Sequence, residues 1–317
     1  MKFKHTLSLI TCVYGVEEYI EQYAHSVFGQ TCTDIEYIFV NDGTKDNSIQ
    51  ILERVIDEHY AHLRSNIIIL NQINQGLPLA RKSGISLAKG DYILFADPDD
   101  WLSPNAVEEI LTKADETDAD IIYFNLVKEY GHRQSIKREK HYTAETKELW
   151  IENIFNYKSF GYCVTKCFRR SLYTDNTIYT PILGMHEDIY LMSQIIFYAK
   201  SIVQMPKVLY HYRKTNKDSM CSQSSSTRHI ASSRNLLNLY QHYMQDIANS
   251  PIRRVANGIL FRAGWHALLH GYNFTKEYPW FVDAIRHAQM STRYQATLPQ
   301  QMLVKVAAKI SPKLFCR

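Results

Sequence analysis

Five short apolar runs punctuate the first 124 residues, each separated from the next by a segment with helical periodicity. Leu7–Val13, Ile35–Val40, Ile67–Leu70, Tyr92–Ala96 and Ala119–Phe124 have the length and the β-branched and aromatic content of buried strands. Helices are expected over Glu17–Phe28, Asp46–Tyr60, Gly76–Ala88 and after Pro104. This alternation leaves few folds open and points to an α/β chain with a mainly parallel, doubly wound sheet. In such sheets ligands sit beyond the carboxyl ends of the strands. Two of those ends are acidic: Asn41-Asp42-Gly43-Thr44 follows the second run, and Asp97-Pro98-Asp99-Asp100 the fourth. Both acidic groups are expected to face one crevice.

The pattern weakens after residue 126. Lys128–Tyr142 is polar and fits a hairpin or a loop. Tyr162–Phe168 fits a short strand, Glu187–Tyr198 a helix and Ile202–Tyr212 an extended segment. A serine-rich stretch over 222–227 has the composition of a linker. Helices are then expected over Arg228–Asn249, Ile252–His270, Lys276–Gln289 and Pro299–Ile310. The expected division is a catalytic domain over 1–221 and a helical extension over 222–317.

Charge is distributed unevenly. Residues 1–199 hold 19 Lys/Arg against 28 Asp/Glu, and residues 200–317 hold 17 against 4. The basic C-terminal third points to an anionic partner there: a membrane surface, a phosphorylated lipid or an anionic glycan. No nucleic-acid module is present, so nucleic acid is not an expected partner. Hydrophobic content of 45% and charged content of 21% exclude wholesale disorder. The six cysteines, Cys12, Cys32, Cys163, Cys167, Cys221 and Cys316, form no CxxC pair. Free thiols in a reducing cytosol are the expected state. No run of eighteen apolar residues and no signal-peptide core occur, so a cytoplasmic location is expected.

Each candidate site has a plainer alternative. Three carboxylates in Asp97–Asp100 repel one another unless a cation or hydrogen bonds offset the charge. Oxygen ligands of this kind suit Mg2+ or Mn2+. The alternative is an acidic turn capping a helix that starts at Ser103-Pro104. Asp42 is placed to read a base, or to form an ordinary Asn-Asp-Gly turn. Asn74-Gln75-Gly76 opens a helix carrying Arg81 and Lys82, a phosphate-attracting arrangement or a capped helix with a solvated basic face. It is not a P-loop. His186-Glu187-Asp188 opens another helix, as a catalytic base or as acids complementing the helix dipole. In Tyr210-His211-Tyr212-Arg213, Arg213 is a candidate diphosphate clamp and His211 a candidate metal ligand. The aromatic residues serve a sugar or the core. The last helix carries Met302, Leu303, Val306, Ala307 and Ile310 on one face, with Lys305, Lys309 and Lys313 beside or opposite. It fits a bilayer interface or a helix docked on its own domain.

Taken in order, these pieces resemble the inverting family 2 glycosyltransferases of bacterial surface-polysaccharide type, which have the GT-A fold. The residues that carry the resemblance are Ser8–Tyr14, Tyr37–Ser48, Asn74-Gln75-Gly76 with Ala80-Arg81, and Ala88–Asp100. It is specific over 6–125 and looser over 160–220, where Lys166, Glu187-Asp188 and Tyr210–Arg213 with Ser219 match. It does not reach 228–317. The resemblance implies a nucleotide-sugar donor, most often a UDP-sugar. Asp42 would meet the base, and Cys12, Val13 and Tyr14, with Glu17, would line the nucleotide site alongside Gly76 and Arg81. Asp97, next to Pro98, would meet ribose, and Asp99 with Asp100 would hold Mn2+ or Mg2+. Asp188 would be the catalytic base, supported by Glu187, and Arg213 would contact the diphosphate. Cys12, Gly15 and Lys82 stand where the family commonly has Pro, Asn and Asn, which bears on donor identity.

The function so implied is transfer of a sugar from a UDP-sugar to a hydroxyl of a glycan or lipid-linked saccharide, in lipopolysaccharide or capsule synthesis. The enzyme would be peripheral on the inner face of the bacterial cytoplasmic membrane. A sugar nucleotidyltransferase shares the sheet and the acids, but it needs a glycine-rich loop with Arg and Lys after the first strand. Val13-Tyr14-Gly15-Val16-Glu17 lacks it. A non-catalytic nucleotide- or glycan-binding protein is the third reading; the intact acids argue against it.

Overall fold

The computed structural model describes residues 2–155, 159–181, 187–216, 233–241, 253–270, 273–288, 290, 297–310 and 315. They divide into two compact units. The first comprises Met1–Ala144, Tyr162–Ile182 and Gln194–Gln223; the second comprises Glu145–Gly161, Leu183–Ser193 and Ser224–Arg317. The expected cut at 221/222 falls outside the described residues. The second unit also draws in two earlier segments, so it holds Glu187 and Asp188.

The first unit is built on a nine-stranded sheet. Its strands are β1 (Leu7–Val13), β2 (Ile35–Asn41), β3 (Ile67–Asn71), β4 (Tyr92–Phe95), β5 (Trp101–Leu102), β6 (Ile121–Glu129), β7 (Gln134–Lys137), β8 (Lys166–Arg169) and β9 (Ile202–Arg213). The order is β3-β2-β1-β4-β8-β6-β9-β5, with β7 paired to β6. The block β3-β2-β1-β4 is parallel, and so is the β6–β9 pair. Sequence alternation places the run at 119–124 as the fifth parallel strand. It keeps that direction but does not join β4, because β8, antiparallel to both, is inserted between β4 and β6. The 128–142 segment resolves as a hairpin through β7. Between β6 and β9 the register shifts twice, so that Phe124 faces Met205, Asn125 faces Val208 and Leu126 faces Tyr210.

The central strands β1 and β4 are buried on both faces, which accounts for their almost unbroken apolar runs. Helix α1 (Ile20–Phe28) buries Ile20, Tyr23, Ala24, Val27 and Phe28, one stripe of a 3.6-residue period. It shares a core with Leu9, Phe39 and Leu94, and with α2 (Ser48–His59) and α4 (Ala106–Thr117). Helix α3 (Leu77–Leu87) covers the other face at Gly84, where an added Cβ would collide with Ile10 Cγ2. Two further helices precede the basic third: α5 (Lys147–Phe155) and α6 (Ser171–Thr174). Then α7 (Glu187–Tyr198) begins in the second unit and ends in the first.

The second unit is helical. Besides α5 and the start of α7 it holds α8 (233–241), α9 (Arg253–His270), α10 (Phe281–His287) and α11 (Leu298–Ile310). Trp150, Leu237, Leu260, Phe261 and Phe281 are fully or almost fully buried. Arg234 and Glu277 form a bidentate pair at 2.8 and 2.6 Å. At Gly161 an added Cβ would lie 2.9 Å from Ile189 and 3.1 Å from Ile154, so this glycine lets α5 approach the first turn of α7. The serine-rich linker expected over 222–227, with Ser219, Cys221 and Cys316, lies outside the described residues.

At the foot of the parallel block, Gly90 donates its N–H to Ser8 Oγ and to Glu36 Oε1, both at 2.9 Å. A Cβ there would lie 2.6 Å from the Ser8 nitrogen and 2.8 Å from the Leu7 carbonyl carbon, and backbone cannot give way as a side chain can. Gly90→Ala should therefore lower stability by about 1–3 kcal/mol in urea denaturation.

Candidate active site

The carboxyl ends of β1, β2, β3 and β4 lie along one edge of the first unit's sheet. The connection from β1 leads to β2 on one side, while β4 lies on the other. The gap between the β1 and β4 ends is therefore the switch point at which open α/β sheets bind ligands. Cys12 is half-buried there, Val13 is buried, and Tyr14 is 53% exposed.

Asp46 ties the loop after β1 to the turn after β2. Its Oδ1 accepts the hydroxyls of Thr44 and Ser48, both at 2.6 Å, and its Oδ2 accepts the Glu17 N–H at 3.0 Å. Glu17 in turn accepts the Asn47 N–H at 2.9 Å and its side-chain amide at 3.0 Å. Glu17 thus braces this loop. Burial pushes the Asp46 pKa up, but the hydrogen bonds from Ser48, Thr44 and the Glu17 backbone outweigh it and hold the carboxyl below its ordinary value. A lowered folded-state pKa contributes stability above the unfolded value and loses it as pH falls through the folded one. Asp46→Asn should thus destabilise the protein at neutral pH, and the difference from wild type should shrink on acidification in pH-resolved thermal melts.

Asp42 is buried at 4% exposure. Its Oδ1 accepts from Gln72 Nε2 at 2.8 Å and the Gln75 N–H at 2.9 Å, and its Oδ2 accepts the Gly76 N–H at 2.9 Å. Gly76 adopts φ +87° to enter α3 from this turn, a conformation open to glycine. These bonds correct one expectation. The N–H groups of Gln75 and Gly76 do not face outward to attract phosphate; they are held by the Asp42 carboxylate. Arg81 is also turned inward. It is 3% exposed, donates to Asp97 Oδ1 at 3.3 Å and lies 5.3 Å from the centre of the Phe95 ring. Gly76 and Arg81 therefore brace the acids and are not presented as outward phosphate contacts.

The tetrad after β4 divides by burial. Asp97 and Asp99 are half-buried, while Pro98 and Asp100 are buried. Asp100 is 1% exposed; its Oδ1 accepts the Arg213 N–H and its Oδ2 the Tyr210 hydroxyl, both at 2.7 Å. The Tyr210 oxygen also accepts the Asp97 N–H at 3.1 Å. Burial, with the charges of Asp99 and Asp97 added, raises the Asp100 pKa well above the carboxylate range, against the pull of these two donors. Asp100 is thus a buried support with both oxygens engaged, which speaks against its expected use as a metal ligand. The helix-capping alternative also fails, because β5 intervenes and α4 starts only after Asn105.

Asp99 offers Oδ2 to Asn216 Nδ2 at 2.8 Å, and its carbonyl accepts Arg213 Nε–H at 2.7 Å. The Arg213 guanidinium lies between the Tyr19 and Trp101 rings, at 5.0 and 4.9 Å, and reaches Gln22 Oε1 at 2.5 Å. Arg213 therefore stands beside the acidic turn. His211 does not fit a metal site. Its Nδ1 meets Glu129 at 2.8 Å, its Nε2 meets Ser103 at 3.2 Å, and its ring stacks on Trp101. Both ring nitrogens are taken.

Among the described residues no group of three His, Cys, Asp or Glu side chains is arranged to hold a metal. The half-exposed oxygens of Asp97 and Asp99 suit a hard cation that takes one or two carboxylates and completes its shell with phosphate and water. Glu187 and Asp188, both half-buried, open α7 in the second unit; His186 lies outside the described residues. Sequence reasoning passed over Asp46, Trp101 and Gln72. The Asp-x-Ser spacing of Asp46 and Ser48 is a local capping signal, whereas the partners of Trp101 and Gln72 are distant in the chain. Tyr210→Phe should cost about 1–3 kcal/mol in urea denaturation, because Asp100 is left buried with one donor fewer.

A parallel block with acids at its switch point, extended by an antiparallel strand and a further parallel pair, is the GT-A architecture. The family model "Glycosyl transferase family 2" matches residues 8–176, and the chain belongs to that family. EpsH of Bacillus subtilis is 34% identical over 214 residues, which are 65% of this chain and 60% of that protein. The chain thus spans less than two thirds of this relative's length. The structure of Staphylococcus aureus TarS in complex with UDP-GlcNAc is similar in fold, with a TM-score of 0.67 at 19% identity, covering 96% of this chain and 89% of that one. Mannosyltransferase PcManGT from Pyrobaculum calidifontis, in complex with GDP-Man and Mn2+, aligns with a TM-score of 0.51 at 12% identity, covering 98% and 81%.

Proposed function

We propose that this protein is an inverting glycosyltransferase that moves a hexosyl or N-acetylhexosaminyl group from a UDP-sugar to a hydroxyl of a lipid-linked saccharide. The acceptor would belong to bacterial surface-glycan synthesis at the inner face of the cytoplasmic membrane. The observation that carries the reading is the placing of Asp42, Asp97 and Asp99 on strand ends that flank β1. Family membership supports it, and so does the fold shared with TarS, a protein that has been solved with UDP-GlcNAc.

In this reading Asp42 accepts the imide N–H of uracil. A carboxylate has about four lone-pair sites, and three of those on Asp42 are already filled. Cys12, Val13 and Tyr14 line the nucleotide, and Asp97 meets ribose. Asp99 would hold Mn2+ or Mg2+, which when bound offsets charge on the diphosphate. Arg213, set between two rings, stabilises negative charge that grows on the departing UDP. Asp188, supported by Glu187, takes the proton of the acceptor hydroxyl as its oxygen bonds to the anomeric carbon. The bond to UDP breaks on the opposite face, so the carbon inverts and no protein nucleophile is used.

With Mn2+ and a panel of UDP-sugars, the wild type should transfer sugar to a lipid-linked acceptor. Asp99→Ala should abolish transfer, and Asp188→Ala should lower it by about 10²–10⁴-fold. Transfer that survives intact in Asp188→Ala overturns the base assignment. Absence of turnover with every UDP-sugar overturns the donor class.

A further inference from the structure

Helix α11 presents apolar surface that its own unit leaves uncovered. It docks through Gln301, Val304, Ala307 and Ala308, all buried. The docking is close: a Cβ on Gly264 of α9 would lie 2.7 Å from Val304 Cγ1, and Arg286 of α10 donates Nε–H to the Ala308 carbonyl at 2.9 Å. The opposite side carries Met302, Leu303, Val306 and Ile310, exposed by 61, 57, 42 and 78%. Of the apolar face legible in the sequence, only Ala307 faces the unit's interior. The helix is therefore docked on its own unit along one side and leaves most of its apolar residues exposed on the other.

The charge around this stripe narrows what covers it. α11 contains Lys305 and Lys309 and no carboxylate. On a helix of 3.6 residues per turn, Lys309 falls beside Met302 and Lys305 one step further round. From Arg253 to the last residue the chain has ten Lys/Arg against two Asp/Glu. A second copy docking face to face would set these lysines against their own kind, because a two-fold contact uses the same patch on both sides. An apolar stripe with a lysine edge instead matches a surface that is apolar beneath and anionic above. Among the described residues no helix is long and apolar enough to cross a membrane, and a short amphipathic helix meets a bilayer in the plane of its surface.

We propose that α11 lays Met302, Leu303, Val306 and Ile310 into the headgroup boundary of an anionic lipid bilayer, with Lys305 and Lys309 on the lipid phosphates. This deepens the reading of a lipid-linked acceptor by naming the surface that meets the membrane. The full chain should co-sediment with phosphatidylcholine vesicles that contain phosphatidylglycerol, in the absence of any saccharide acceptor. Binding should fall sharply on phosphatidylcholine alone. The double change Lys305→Glu, Lys309→Glu should weaken partitioning by about twentyfold or more, and Val306→Gln with Ile310→Gln by about tenfold or more. All four positions lie off the docked side, so melting temperature and UDP-sugar binding should match wild type. Equal binding by wild type and both variants overturns the proposal, as does no binding to anionic vesicles. A concentration-dependent dimer in sedimentation velocity that Val306→Gln with Ile310→Gln abolishes also overturns it, in favour of a second copy. Loss of sugar transfer with vesicle binding intact counts against the catalytic reading alone.

Discussion

One buried carboxylate holds the candidate site together. Asp100 ends the acidic turn between β4 and β5, yet both its oxygens are satisfied from β9, more than a hundred residues further along the chain. Burying a charge or a polar group is costly unless partners meet it. The Tyr210 hydroxyl and the Arg213 N–H are those partners, and they come as a pair because they lie on one strand. The acidic turn and the end of β9 are thereby fixed to each other. Arg213 then returns the tie by bonding the Asp99 carbonyl.

The same logic recurs at the neighbouring strand ends. Asp42 anchors the turn that opens α3, Asp46 anchors the loop after β1, and Arg81 is spent on Asp97. Most of the charged groups at this edge are thus engaged with one another or with backbone. What stays partly exposed is narrow: Asp97 and Asp99, each half-buried, and the Tyr14 ring. A site built this way is ordered in advance, and a ligand entering it has little reorganisation to drive.

The parallel block was legible from sequence because each of its strands is a short apolar run with its own turn chemistry. The acids at its ends were legible for the same reason. Long-range partners were not. Nothing local marks Tyr210 as the partner of Asp100, and the aromatic alternation of β9 reads equally well as core. The insertion of β8 between β4 and β6 was also hidden, since Lys166–Arg169 is four residues long and its pairing is antiparallel. Gly76 and Arg81 look like phosphate ligands from spacing alone. Only their partners, and the burial of Arg81, show that they serve Asp42 and Asp97. In α11 the periodicity identified an apolar stripe correctly but not which side of the helix the unit would take.

The paired register shifts in β9 have a consequence for how this stretch tolerates change. Three more residues are spent on β9 than on β6 between Phe124 and Leu126, and the side chains beyond them regain their facing only because that surplus is fixed. Removing or adding one residue between Met205 and Tyr210 would exchange the two sides of the strand. His211 would turn toward Asp100, and Tyr210 toward Trp101. The number of residues in this segment is therefore held more tightly than their identity. Lineages of this chain should accept varied side chains at Pro206 and Lys207 while keeping the spacing unchanged.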